Sequence, residues 1–251
     1  KPNVVITLGK APLTSIVKRY WKADVGTLDR WVGWKIPTGD FWLCPTYHPA
    51  QLEDLKNTLM TKEFEGHIMD ACQIEDPPEK PFPYEKAIEI LYDDRDILNA
   101  LRGMDVQDDY VAVDYETNCL KPEYPKARIY SCAVSNGRRT ISFPWGPNVL
   151  KYMRKFLSSK KTKKIAANMK FEERWTQVQL GMPVRRWVWD TMVAAHCLDN
   201  RPSICSLKFQ AFVRLGVPTY NADIEPYLRG NGGHYNRVHE IELRNLLYYG
   251  G

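Results

Sequence analysis

Val111-Ala112-Val113-Asp114-Tyr115-Glu116-Thr117 decides the reading of this chain. Mostly apolar residues run into two acids spaced i, i+2, the pattern of a buried β-strand whose end carries charge. A period of two places Asp114 and Glu116 on one side of an extended chain. Two carboxylates that close repel each other unless a positive charge sits between them, and a divalent metal with its preference for oxygen ligands is the obvious candidate. Acids also collect at strand ends where a loop begins, so the pair must be weighed with the segments around it.

Outward from this strand the order of elements is regular. Ile88-Glu89-Ile90 suggests a short edge strand, and Asp93 to Leu101 a helix with Ile97, Leu98 and Leu101 at compatible spacing. Downstream, Arg128–Val134 and Thr140–Phe143 read as an antiparallel pair around the tight turn at Asn136-Gly137. Pro147 to Leu157 suggests a helix. Ser158 to Lys164 reads as a loop whose Lys160, Lys161, Lys163 and Lys164 are candidates for backbone-phosphate contact. Lys164 to Ala167 is a further strand, and Asn168-Met169-Lys170-Phe171-Glu172 opens a helix. Asp190 is placed to cap the helix that follows Trp187-Val188-Trp189. Ser206 opens another helix, stopped by Gly216. Asn231-Gly232-Gly233 reads as a flexible loop, and Arg237 to Tyr249 as a last helix.

Upstream, Val4 to Leu8 is a short apolar strand closed by Gly9 and followed by a helix from Ala11 to Tyr20, with Pro12 in its first turn. Gly33 to Asp40 reads as a hairpin or loop. Phe41 to Pro45 is a strand leading through Thr46-Tyr47-His48-Pro49 into a helix from about Gln51 to Met60. Pro77, Pro78, Pro81 and Pro83 deny regular hydrogen bonding and mark a linker.

Composition sets the outer bounds. Apolar residues make up 44% of the 251 positions, enough for a real core. A net charge of +5 permits a polyanionic partner without demanding one. The six cysteines form no CxxC pair and show no zinc spacing, which fits free thiols in a reducing compartment. No apolar run approaches the roughly 18 residues of a membrane span. The start at Lys1-Pro2 and the end inside a helical pattern suggest a piece of a longer protein.

The second part of the chain resembles DnaQ-like, DEDD-type 3′–5′ exonucleases, above all the proofreading domain of family A DNA polymerases. Three ordered motifs carry the likeness. Asp114-Tyr115-Glu116-Thr117 with Leu120 matches the first, Asn168-Met169-Lys170-Phe171-Glu172 the second with Glu172 where the family has aspartate, and Asp190-Thr191-Met192 follows. Tyr249 matches the tyrosine of the third motif, whose aspartate falls two positions past Gly251. The resemblance implies a ribonuclease H-like α/β fold, a mixed sheet of about five strands flanked by helices. It implies two divalent metal ions about 4 Å apart, Mg²⁺ with Mn²⁺ as substitute, held by Asp114, Glu116 and Glu172, and a water oriented by Tyr249. Thr117, Leu120, Asn168 and Phe171 would line the substrate groove by the same analogy. Leu120 and Phe171 could instead be core, and Asn168 a helix cap. Asp190 is an additional candidate, favoured as structural. If it were the second-motif acid, it would displace Glu172.

Residues 1 to 56 are similar to the C-terminal half of the uracil-DNA glycosylase superfamily, through the strand–Gly9–helix and the Thr46-Tyr47-His48-Pro49 loop. That likeness makes His48 an active-site-rim residue; its alternative is a capping histidine before a helix. The expected organisation is therefore a partial glycosylase-like segment over 1–74, a proline-rich linker over 75–85, and an exonuclease domain over 86–251. The expected function is proofreading hydrolysis of the single-stranded or frayed 3′ end of DNA, in a chain continuous with a polymerase domain. An RNase D-like exoribonuclease and an inactive nucleic-acid-binding module are the alternatives. The resemblance implies a bacterial or phage-infected cytoplasm and association with the nucleoid through DNA.

Overall fold

The computed structural model describes residues 1–56, 58–219, 223–230 and 233–251. The Asn231-Gly232 part of the expected flexible loop, and Asn57 within the expected 51–60 helix, lie outside the described residues. In chain order the elements are β1 (Val4–Leu8), α1 (Lys10–Val17), β2 (Ile36–Pro37), β3 (Trp42–Thr46), α2 (Pro49–Leu55), α3 (Thr58–Cys72), β4 (Ile88–Ile90), α4 (Asp94–Met104), β5 (Tyr110–Thr117) and β6 (Ile129–Ser135). They continue with β7 (Thr140–Pro144), α5 (Pro147–Ser158), β8 (Lys163–Ala166), α6 (Met169–Leu180), β9 (Trp187–Asp190), α7 (Thr191–Leu198), α8 (Leu207–Leu215), α9 (Glu225–Leu228) and α10 (Leu243–Gly250).

Two compact units result. One contains Lys1–Phe82 and Ala195–Ala222, the other Pro83–Ala194 and Asp223–Gly251. The units thus are not two consecutive stretches, as boundaries at 1–74 and 86–251 would have them. The reason is packing. Phe209, Phe212 and Val213 of α8 are buried in one core with Leu13, Val17, Trp21, Trp31, Ile36 and Leu43. Helix α8 is delimited as its sequence suggests, by the Ser206 hydroxyl accepting the Phe209 N–H at 3.3 Å and by Gly216 in the left-handed region at φ 69°.

In the first unit β1 and β3 pair in parallel and β2 closes antiparallel on β3. The expected helix over 51–60 is two helices, because Lys56 turns left-handed (φ 45°) at the end of α2. Residues 58–72 then form α3.

The second unit is built on a six-stranded mixed sheet in the order β4-β7-β6-β5-β8-β9. Its antiparallel centre, β7-β6-β5, has parallel neighbours on both sides. The sixth strand, beyond the five or so expected, is Trp187–Asp190. Along β5 the residues Val111, Val113, Tyr115 and Thr117 are buried, while Asp114 is exposed and Glu116 half-buried. That alternation is what one face on a core produces. The pairing of β5 with β6 shifts register between Glu116 and Thr117. Such an irregularity bends the strand and re-aims the side chains beside it. Among the described residues no helix is long and apolar enough to cross a membrane.

Candidate active site

The first-motif acids stand at the end of the central strand, on the face opposite Val113 and Tyr115. Tyr115, between them, points into the core, and its hydroxyl lies 3.1 Å from the Thr176 hydroxyl of α6. Thr176 is one helical turn beyond Glu172, so this buried bond fixes the height of α6 along β5 and with it the position of Glu172.

Glu172 sits in the first turn of α6 and is only 2% exposed. Its Oε2 is buried with no hydrogen-bond partner. A helix N-terminus ordinarily favours a carboxylate. Here burial dominates, the charge of Asp114 adds to it, Asp190 contributes less, and the pKa rises to about 9. The structure therefore brings Asp114 and Glu172 into one electrostatic neighbourhood.

The approach to α6 is made by Asn168, in the left-handed region at φ 68° and ψ 55°. Asparagine tolerates that conformation better than most residues. Asn168 occupies the cap position, but its side chain makes no capping bond. The capping oxygens come from Asp190. Its Oδ1 accepts the Asn168 N–H at 3.0 Å and its Oδ2 the Met169 N–H at 2.9 Å. Oδ1 also accepts from Met192 at 2.9 Å and Val193 at 3.2 Å. Burial works against the charge of Asp190, but these backbone donors outweigh it and hold its pKa below the usual value. Both oxygens are engaged in starting α6 and α7.

Thr117 is buried and its hydroxyl donates to the Cys119 carbonyl at 2.8 Å, closing the turn after β5. Leu120 is 80% exposed, so it is not core. Phe171 is half-buried, packed on the core with its ring 6.0 Å from that of Trp175. Tyr249 is half-buried on α10. The next residue, Gly250, lies against Glu116: a Cβ there would come within 3.4 Å of the glutamate Cγ. In the first unit, His48 caps α2, its Nδ1 accepting the Ala50 N–H at 3.2 Å. Lys164, one of the expected phosphate contacts, is fully buried and donates to the Ser159 and Thr162 carbonyls at 2.6 and 3.1 Å. It is a strand residue anchoring a turn and meets no solvent.

The buried orphan oxygen of Glu172 beside the Asp114 charge fits a cation, since a positive ion would give that oxygen a partner and remove the repulsion. Among the described residues no three His, Cys, Asp or Glu side chains converge on one metal position. The fit therefore rests on Asp114 and Glu172, with Glu116 on the same strand face. Sequence reasoning did not find Thr176 as a positioning residue, although its spacing of four from Glu172 puts both on one helix face. It also missed the 234–236 segment, where Asn236 donates to the Thr117 carbonyl at 2.9 Å.

A match to the 3′–5′ exonuclease family covers residues 88–225, more than half of the chain. The chain belongs to this family. It carries a DEDD-like 3′–5′ exonuclease domain resembling those of the proofreading type, on an α/β ribonuclease H-like fold with a mixed sheet flanked by helices. No curated protein matches the chain in sequence. Among solved structures it is similar to Escherichia coli RNase D, an exoribonuclease involved in structured RNA processing, with 11% identity and a TM-score of 0.47 over 64% of this chain and 40% of that one. The exonuclease chain thus spans well under two thirds of that RNase D. Brucella melitensis NrnC bound to pGG matches with 19% identity and a TM-score of 0.47, over 65% of this chain and 72% of that one. The catalytic core of RRP6 from Trypanosoma brucei matches with 16% identity and a TM-score of 0.47, over 67% and 46%.

Proposed function

We propose that the chain removes nucleotides from the 3′ end of a single strand by metal-dependent hydrolysis, with Asp114, Glu116 and Glu172 as the metal-holding acids. The observation that carries this reading is Glu172: a buried acid with an unpartnered oxygen, raised in pKa beside Asp114, at the place the second motif assigns. Bound divalent ions would supply an activated water and stabilisation of the leaving 3′-oxygen. The chain's own residues do the rest. Asp114 and Glu116 present two oxygen donors from one rigid strand. Glu172 adds a third from the start of α6, held at its height by the Tyr115–Thr176 bond. Tyr249 orients the attacking water, and Leu120, projecting into solvent after β5, is free to meet a base.

The substrate in this reading is the single-stranded or frayed 3′ end of DNA, in a protein continuous with a polymerase domain. RNase D-like trimming of RNA uses the same chemistry and differs in how the site treats a 2′-hydroxyl. A second reading, a module that binds strands without cutting them, is favoured by the absence of a three-acid metal cluster among the described residues. One experiment separates them. 5′-labelled single-stranded DNA and RNA are incubated with the protein and Mg²⁺ or Mn²⁺, beside Asp114→Ala. Stepwise shortening from the 3′ end that stops with Asp114→Ala supports the exonuclease, and the faster substrate names the sugar. Strands that are bound but keep their length establish the binding module instead.

A further inference from the structure

The loop that follows β5 carries an aromatic and cationic surface that the motifs do not account for. Tyr124 and His234 face each other with ring centroids 4.4 Å apart at 35°. The Lys121 ammonium lies 5.9 Å over the Tyr124 ring. The pairing is held from both sides. The backbones of Cys119 and Tyr235 pair in an isolated antiparallel β-bridge, the Asn236 N–H donates to the Asn118 carbonyl at 2.8 Å, and the Tyr235 hydroxyl accepts the Lys126 N–H at 3.3 Å. These bonds tie 234–236 to the residues directly after Glu116 and Thr117. His234 and Lys121 are exposed and Tyr124 is half-buried. A ring pair whose only task was to fill the core would not leave one ring in solvent.

Charge points the same way. Glu123, the acid of the loop, is paired with Arg174 at 2.6 Å. Lys121, Lys126 and Arg128 are exposed and form no ion pair among the described residues. An exposed ring beside unpaired cations, the first of which, Lys121, follows the exposed Leu120, is the makeup of a surface that stacks bases and neutralises phosphates.

We propose that Tyr124 and His234 form a stacking platform for the substrate strand on the 5′ side of its terminal nucleotide, with Lys121 and Lys126 on the phosphates. The platform sets how long a strand the protein grips. This rests on the exonuclease reading for its direction along the strand, but the binding itself is independent of cleavage.

The test measures anisotropy of labelled single strands of two, four, eight and twelve nucleotides, without divalent ions. It compares the parent with Tyr124→Leu/His234→Leu and with Tyr124→Phe/His234→Phe. A 2-aminopurine moved along the strand reports stacking by its quenching. The leucine pair is expected to weaken binding of the eight-mer about tenfold or more, with a smaller loss as the strand shortens, and to abolish quenching at one internal position. The phenylalanine pair is expected to keep both, and a far- and near-ultraviolet circular dichroism spectrum of the leucine pair that matches the parent excludes a folding defect as the cause. Unchanged eight-mer affinity and quenching in the leucine pair overturn the platform while leaving 3′-end digestion by the parent to stand. Length-dependent loss without any digestion by the parent keeps the platform and removes the exonuclease reading. A parent that binds no strand overturns the platform, and 3′-end digestion with Mg²⁺ or Mn²⁺ then decides the exonuclease reading by itself.

Discussion

Glu172 is one methylene longer than the family's aspartate and lies in the first turn of a helix, 2% exposed, with one oxygen unpartnered. A cation at that oxygen would turn a costly buried acid into a satisfied ligand, so metal binding and folding are linked through it. Mg²⁺ or Mn²⁺ at ten times its Kd is expected to stabilise the parent by about 1.4 kcal/mol. Glu172→Gln, a neutral isostere, is expected to lose most of that gain in thermal unfolding with and without metal. Equal gains in both proteins would remove Glu172 from the site. Lys164 is the opposite case, a buried cation. Burial pulls its pKa down to about 8, against the raising effect of Asp105. The unfolded lysine keeps its proton up to its ordinary 10.5, so between about pH 8 and 10.5 the unfolded chain holds more protons and this residue's contribution to stability rises with pH. Lys164→Met removes the titration and leaves the Ser159 and Thr162 carbonyls without their donor. The parent is expected to outgain the variant by on the order of 2 kcal/mol between pH 7.5 and 10 in urea unfolding. Parallel pH curves would count against it.

Two helices begin at one carboxylate. Asp190 accepts four backbone N–H groups, two from the entry to α6 and two from the first turn of α7. Asp190→Ala is expected to cost about 2–4 kcal/mol in chemical denaturation, more than a single lost cap, because both helix starts lose their acceptor. A cost under about 1 kcal/mol would mean that water replaces it. The same residue shows what was legible. Its capping role could be read from Asp-Thr-Met before an apolar run, but its reach to Asn168 could not, since 22 positions separate the partners and only the β8–β9 pairing brings them together. The acids of β5 were legible because burial alternates along the whole strand, with Val111, Val113, Tyr115 and Thr117 on the core side. Strand β9 was not: Val188 and Trp189 are both exposed, so no alternation announces it. Helix α3 was missed for the same reason, with Ala71 its one buried residue. Within the lysine run only Lys164 departs from the expectation: charge suggests solvent, while Lys164 is paired internally with carbonyls and Lys160 and Lys161 stay exposed.

At the scale of the molecule, sequence could show that α8 has an apolar stripe but not which core receives it. Phe209 enters the first unit's aromatic cluster, 5.1 Å from Trp31 and 6.0 Å from Trp21, under the Arg30 guanidinium at 4.3 Å. That unit therefore depends on a segment more than a hundred residues from its first part, and on the turn that ends α8. Gly216 is left-handed there at φ 69°, and a Cβ on it would collide with the Pro37 carbonyl oxygen of β2. Gly26, in the same unit, has nearly the same φ of 70° but open space around it. The two glycines separate conformational strain from collision. Gly26→Ala should cost only the left-handed preference, about 1–2 kcal/mol. Gly216→Ala must also push β2 and α8 apart, adding about 1–3 kcal/mol of overpacking. Urea unfolding gives the two costs, and the near-ultraviolet circular dichroism of the packed Trp21 and Trp31 shows where the excess goes. A larger loss for Gly216→Ala with a weakened tryptophan signal is the expected result. Equal losses with unchanged spectra would mean that α8 is not held against β2 in the way that closes this core.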